Sequence, residues 1–190
     1  MPKTTLTERY RAYHALSTFR RLNELDDMWT DHVGEPATAS GEELQTLQLV
    51  ATDMDDLLAR CVEDAAFVEA FIDKYGSSLN AEINGVVQQC TDRCRARLEA
   101  QGGLLSFARL ALRTIREGAD KERQEIAVKM QRLIDGGYAM GDFSTGFKCA
   151  LWAISCAGAV LFAAAGAGMT APAAVGACAA AVTQMGNLGC

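Results

Sequence analysis

The last 42 residues of this 190-residue chain, Cys149 to Cys190, lack any ionisable side chain except cysteine thiols: all 18 Lys/Arg and all 24 Asp/Glu stand at or before Lys148. Basic clusters are absent and the formal net charge is −6. That excludes an electrostatically driven nucleic-acid binder, which needs a basic patch to displace counterions from phosphate. Histidine occurs only at His14 and His32, neither beside a cysteine or glutamate at ligand spacing, so zinc and di-iron centres lose their usual donors. Gly-x-Ser-x-Gly and Glu-x-x-His do not occur. In Gly141–Lys148 (GDFSTGFK), Phe147 separates the second glycine from the lysine, which breaks the fixed reach of a phosphate cradle. No enzyme, metal or cofactor is expected. Met1–Phe19 carries Lys3, Glu8, Arg9 and Arg11 and no apolar run of about 7 to 15 residues, so no Sec-type signal peptide is expected. Strand patterns and internal repeats are also missing.

The tail is rich in what the rest lacks. Fifteen of its 42 residues are Ala and six are Gly, a composition too apolar to remain solvated and unlike a charged disordered tail. It must be buried in the protein's own core, in a partner, or in lipid. Cys149–Met169 is 21 residues without charge, long enough for a hydrocarbon core of about 30 Å. Its strongly apolar members, Leu151, Ile154, Val160, Leu161 and Phe162, contribute about −0.3 to −0.6 kcal/mol each on insertion scales, about −1.5 to −3 kcal/mol together. Insertion is therefore marginal. Thr170-Ala171-Pro172 marks a turn, and Ala173–Val182 is too short to span alone. The spacings Ala159-Ala163-Ala167 and Ala173-Ala177-Ala181 suit close contact between helices, in a membrane or in a soluble hairpin.

Before the tail, apolar residues recur every three or four positions, the signature of packed helices. One stripe runs Leu44, Leu47, Ala51, Met54, Leu58, Cys61, Ala65, Val68, Ile72, Tyr75; a second runs Leu79, Ile83, Val86, Cys90, Cys94, Leu98; a third runs Ala108, Leu112, Ile115, Ala119, Ile126, Met130, Leu133. An N-terminal helix is predicted from about Thr7 to His32, with Tyr10, Tyr13, Leu16, Phe19, Leu22, Leu25 and Trp29 on its apolar face. Breaks fall at Val33–Gly41, Gly76-Ser77-Ser78, Gly102-Gly103 and Gly136-Gly137, where glycine closes one helix and serine opens the next. The expected fold is all-α. A four-helix bundle-like domain over residues 1–137 is joined to a hydrophobic Ala/Gly-rich helical hairpin over residues 138–190.

Cys61, Cys90 and Cys94 lie on the apolar stripes. Cys90 and Cys94 stand one helical turn apart, but no second pair of ligands accompanies them in the sequence, so buried reduced thiols are expected. The tail holds Cys149, Cys156, Cys178 and Cys190. Four cysteines allow three pairings into two bridges, and Cys190, after Gly186-Asn187-Leu188-Gly189, invites a clamp back onto the hairpin. Such bridges belong to an oxidising compartment.

At Gly136-Gly137 the chain resembles a double-glycine bacteriocin precursor, in which a charged leader is cut after the second glycine and the released hydrophobic peptide is exported. Of the apolar positions four, seven and twelve before that cut, Ile134 and Ile126 fill the first and third, while Gln131 occupies the second with Met130 beside it. The architecture is similar to halocin C8-type precursors, which join a large N-terminal region acting as immunity protein to a Cys-rich, Gly/Ala-rich antimicrobial C-terminus. The resemblance implies cleavage after Gly137, a peptidase-containing export transporter as partner and a lipid membrane as target. It also implies a cytoplasmic precursor, a secreted peptide Tyr138–Cys190 and self-association of the hairpin. Two other readings compete. One is an uncleaved membrane-anchored or pore-forming helical protein, with Lys148 marking the cytoplasmic flank. The other is a soluble all-helical interaction module with the tail as its core.

Overall fold

A computed structural model describes residues 18–33, 41–135 and 143–190. All regular structure among them is helical: α1 Thr18–Val33, α2 Gly41–Tyr75, α3 Asn80–Val87, α4 Asp92–Ala100, α5 Leu104–Ile134, α6 Thr145–Ala164 and α7 Ala171–Asn187. The described part of the chain is therefore all-α. The first and third stripes coincide with α2 and α5. Within them Leu47, Ala51, Met54, Leu58, Cys61, Ala65 and Ile72, and likewise Ala108, Leu112, Ile115, Ala119 and Ile126, are buried. Thr7–Ser17, the Val33–Gly41 break from residue 34 to 40 and the Gly136-Gly137 junction lie outside the described residues.

Two sequence expectations need correction. The stripe from Leu79 to Leu98 forms two helices instead of one, so α1 to α5 stand where four helices were predicted. Thr91 adopts an extended backbone and its hydroxyl accepts from the Cys94 amide at 3.3 Å, the N-cap of a new helix. Ile83, Val86, Cys90, Cys94 and Leu98 nevertheless all remain buried. The uncharged run Cys149–Met169 is likewise not one helix. It ends at Ala164, where Ala167 donates to Phe162 O at 2.9 Å and Gly166 to Ala163 O at 3.2 Å, the paired bonds of a Schellman cap. Thr170 then caps α7, accepting from Ala173 N, and Pro172 fits the first turn because its missing N–H has no helical acceptor to lose. The final helix runs from Ala171 to Asn187 and contains the apolar stretch Ala173–Val182.

By packing, the chain forms two units: residues 1–62 with 118–144, and residues 63–117 with 145–190. The first unit buries Leu22, Leu25, Met28 and Trp29 of α1, Leu47, Val50, Met54, Leu57 and Leu58 of α2, and Ile126 of α5. Arg123 forks onto the Asp55 carboxylate at 2.8 and 3.1 Å. The second unit gathers the end of α2, α3, α4, the start of α5, and both tail helices. There Arg116 pairs with Glu69, and Arg109 with Asp73 at 2.9 Å, so the paired segments of α2 and α5 run antiparallel. Helix α6 packs on α7 and α3, and α7 also packs on α3 and α4.

Candidate functional site

The tail is the region where sequence reasoning placed its candidate residues, and its geometry follows from small side chains. Alanine and glycine let two helices approach closely; the Cα atoms of Cys156 in α6 and Cys178 in α7 are only 4.2 Å apart. These two cysteines are joined by a disulfide, and a second disulfide joins Cys149 to Cys190, with Cα atoms 6.4 Å apart. Of the three pairings the sequence left open, the nested one is present, and it ties α6 and α7 together antiparallel. Cys190 reaches Cys149 because α7 ends in its own Schellman cap: Cys190 N donates to Met185 O at 3.0 Å, and Gly189 to Gly186 O at 3.2 Å. Gly189 holds φ at +78°, a left-handed conformation that a side chain at this position would strain.

Within the first unit, two carboxylates hold the backbone at Phe143 and Ser144. Phe143 is buried, and its amide donates to Asp26 Oδ1 at 2.7 Å. Ser144, directly before the helix, donates its amide to Glu122 Oε1 at 3.1 Å and its hydroxyl to the same oxygen at 2.6 Å. Asp26 and Glu122 are themselves buried. Each gives a buried acceptor to a backbone amide that would otherwise lack one. Sequence reasoning missed both acids, because each looks like one more charge on an amphipathic helix.

At the opposite end of the tail, α4 supplies cations. Arg97 donates to the Cys190 backbone oxygen, and the Arg93 guanidinium lies against Gly186, where a Cβ would collide with it. Positive groups at the C-terminal end of α7 oppose the partial negative charge of its unpaired carbonyls. A cavity of about 170 Å³ lies beside the Cys149–Cys190 bridge, lined among others by Arg97, Phe107, Leu110 and Met185.

Helix α6 is long and apolar enough to cross a membrane, and 61% of its apolar window is buried within the protein. Leu151, Ile154, Val160 and Leu161 are buried, whereas Phe162 is 50% exposed. Lys148, which the membrane reading places at the lipid boundary, is buried as well.

The three remaining cysteines carry no disulfide and are buried. Cys61 donates its thiol to Leu58 O at 3.1 Å. Cys90 and Cys94 approach the tail: their sulfurs and that of Cys178 all lie within 4.8 Å of one another. Burial and the neighbouring Cys90 push the Cys94 thiol up to about 12. It is therefore protonated at neutral pH and a poor nucleophile. Gly136, Gly137, His14 and the His32 side chain lie outside the described residues. No family model, curated protein or solved structure matches the chain.

Proposed function

We propose that the chain is the precursor of a membrane-active, bacteriocin-like antimicrobial peptide. Its bundle-like N-terminal helices keep a C-terminal Ala/Gly-rich helical hairpin soluble and inactive until cleavage after Gly137. The observation that carries this reading is the closure of the cross-links. All four tail cysteines pair among themselves, and Cys61, Cys90 and Cys94 form no bridge to them. A cut between residues 137 and 138 therefore releases a peptide with no covalent tie to the leader.

The packing supports the leader's role. Helices α3 and α4 pack against α6 and α7, and no disulfide joins them to the tail. The small insertion energy of the five strongly apolar residues, about −1.5 to −3 kcal/mol, leaves the hairpin free to stay with its leader until release. The mature peptide then acts outside the cell on a lipid membrane, to which helices with small-residue faces bring self-association. Export falls to a transporter that carries the peptidase.

Mass spectrometry of culture supernatant should find a peptide beginning at Tyr138, lighter by four hydrogens for its two bridges. Recovery of only the intact chain from cells would overturn the proposal. A second reading, the soluble interaction module, draws support from the burial of α6. It requires the intact chain to be the active species and predicts no processed peptide.

A further inference from the structure

Cysteines Cys90 and Cys94 stand one turn apart, and the sequence shows them no second pair of ligands. The tertiary structure brings that pair. Cys178 Sγ lies within 4.8 Å of both sulfurs, and Cys156 Sγ is bonded to Cys178 Sγ. Three sulfurs thus meet, from the turn after α3, from α4 and from α7, and a fourth, from α6, is bonded to one of them. All four residues are buried, Cys90 at 4% exposure and the others at 0%. We propose that in the reduced chain Cys90, Cys94, Cys156 and Cys178 form a four-thiolate site for a soft divalent metal ion of the zinc type, which clasps the tail helices to α3 and α4. The site is independent of the precursor reading, since it needs neither cleavage nor export.

The donor set and the spacing fit this chemistry. Zinc takes four thiolates tetrahedrally at about 2.3 Å, which places the sulfurs about 3.8 Å apart. The Cys90, Cys94 and Cys178 sulfurs need contract by only about 1 Å to reach that spacing. Binding replaces four S–H protons, released to solvent, with one M²⁺, leaving a net charge of −2 on the centre. Two features next to the cluster favour that charge. Arg95 places its guanidinium against the cluster's backbone, donating to Cys90 O at 3.0 Å and Gln88 O at 2.9 Å. Cys94 lies in the first turn of α4, at the positive end of the helix, with its amide fixed by Thr91.

The same four sulfurs have a second state. A low-molecular-weight disulfide such as glutathione disulfide accepts two electrons from the Cys156 and Cys178 thiolates. A bond forms between their sulfurs, the oxidant's bond breaks, and its two halves leave as thiolates that take protons from solvent. The metal loses two of its four ligands and departs. Cys90 and Cys94 each take a proton back from solvent, so the oxidised chain has the Cys156–Cys178 bridge with Cys90 and Cys94 as thiols.

The test uses the full-length chain, fully reduced and stripped of metal, titrated with Co²⁺. The site predicts an intense thiolate-to-cobalt charge-transfer band with tetrahedral visible bands, saturating at one ion per chain. Zn²⁺ should displace the cobalt, and glutathione disulfide should expel the ion. The double variant Cys90→Ser, Cys94→Ser should lose the band, while Cys61→Ser and the pair Cys149→Ser, Cys190→Ser should keep it. A reduced wild-type chain with no stoichiometric tetrahedral thiolate spectrum would overturn the proposal without recourse to any variant. So would a band that survives in the Cys90/Cys94 double variant, or peptide mapping that finds a Cys90–Cys94 disulfide formed at the expense of the Cys156–Cys178 bridge. That last outcome would indicate a thiol relay instead of a metal site.

Discussion

The first packing unit and the tail helices of the second reach order by different means. The first unit buries large side chains, Leu22, Leu25, Met28, Trp29, Met54 and Leu58 among them, and reinforces them with the Arg123–Asp55 fork and two buried carboxylates. In the tail, α6 buries Ala150, Ala153, Ala157 and Ala159 beside Leu151, Ile154, Val160 and Leu161, and α7 buries Ala174 and Ala181 with Cys178, Val182 and Met185. Small residues remove little area from water, so side-chain burial contributes less per turn. The deficit is offset by close backbone approach, by two disulfides and by the larger side chains of α3 and α4. A helix pair of this kind depends on its neighbours in a way the first unit does not.

The strongest challenge to that contrast is truncation. Residues 1–137 expressed alone lose the tail helices that pack on α3 and α4 and meet Cys90 and Cys94. Helical signal from α3 and α4 should therefore melt without cooperativity, as in a molten state. Trp29, the one tryptophan left after Trp152 is removed, should keep the emission of a buried ring and a cooperative transition. Loss of both signals together, or of neither, would erase the distinction.

Next in size are the bridges. Their sequence separations of 22 and 41 residues correspond to about 3 to 4 kcal/mol each by chain entropy. Denaturation of Cys156→Ala, Cys178→Ala and of Cys149→Ala, Cys190→Ala in metal-free buffer should show losses of that order in the second unit. In a Trp152→Phe background, Trp29 emission should report no change in the first.

Removing the carboxylates that hold Phe143 and Ser144 should have a smaller effect. Asp26→Ala or Glu122→Ala leaves the Phe143 or Ser144 amide without its acceptor, at about 1 to 3 kcal/mol. Hydrogen exchange at those amides should accelerate accordingly, and unchanged exchange would show that the junction is held by packing alone. The smallest effect is expected at the surface. Arg109→Ala and Arg116→Ala each break an exposed ion pair worth about 0.2 to 1 kcal/mol. Thermal melts in low and high salt should differ less for these variants than for the parent chain.

Much of the helical framework was legible from residue spacing. The stripes through α2 and α5 mark their buried faces correctly, and Gly102-Gly103 closes α4 as the turn chemistry predicts: Gly103 N donates to Leu98 O at 2.8 Å and Gly102 N to Glu99 O at 3.0 Å. The split at Thr91 was readable only as a weak signal, a Thr-Asp pair inside an unbroken stripe, because the apolar period continues across the cap. The end of α6 at Ala164 was hidden by composition, since Gly166 and Gly168 stand in a run of alanines that carries no polar marker. Asp26 and Glu122 were not legible at all; nothing in their local sequence separates a buried acceptor from a solvated charge.

Charge partition, helical periodicity and the Gly102-Gly103 closure were determined by the sequence alone, because each depends on residues within a turn or two of one another and on backbone hydrogen bonds between near neighbours. Tertiary structure decided which tail cysteines pair, which helices cover the tail, and that Cys90 and Cys94 meet Cys178. Those outcomes depend on which faces fit when segments far apart in the chain are packed to close density, and no local pattern encodes that distance.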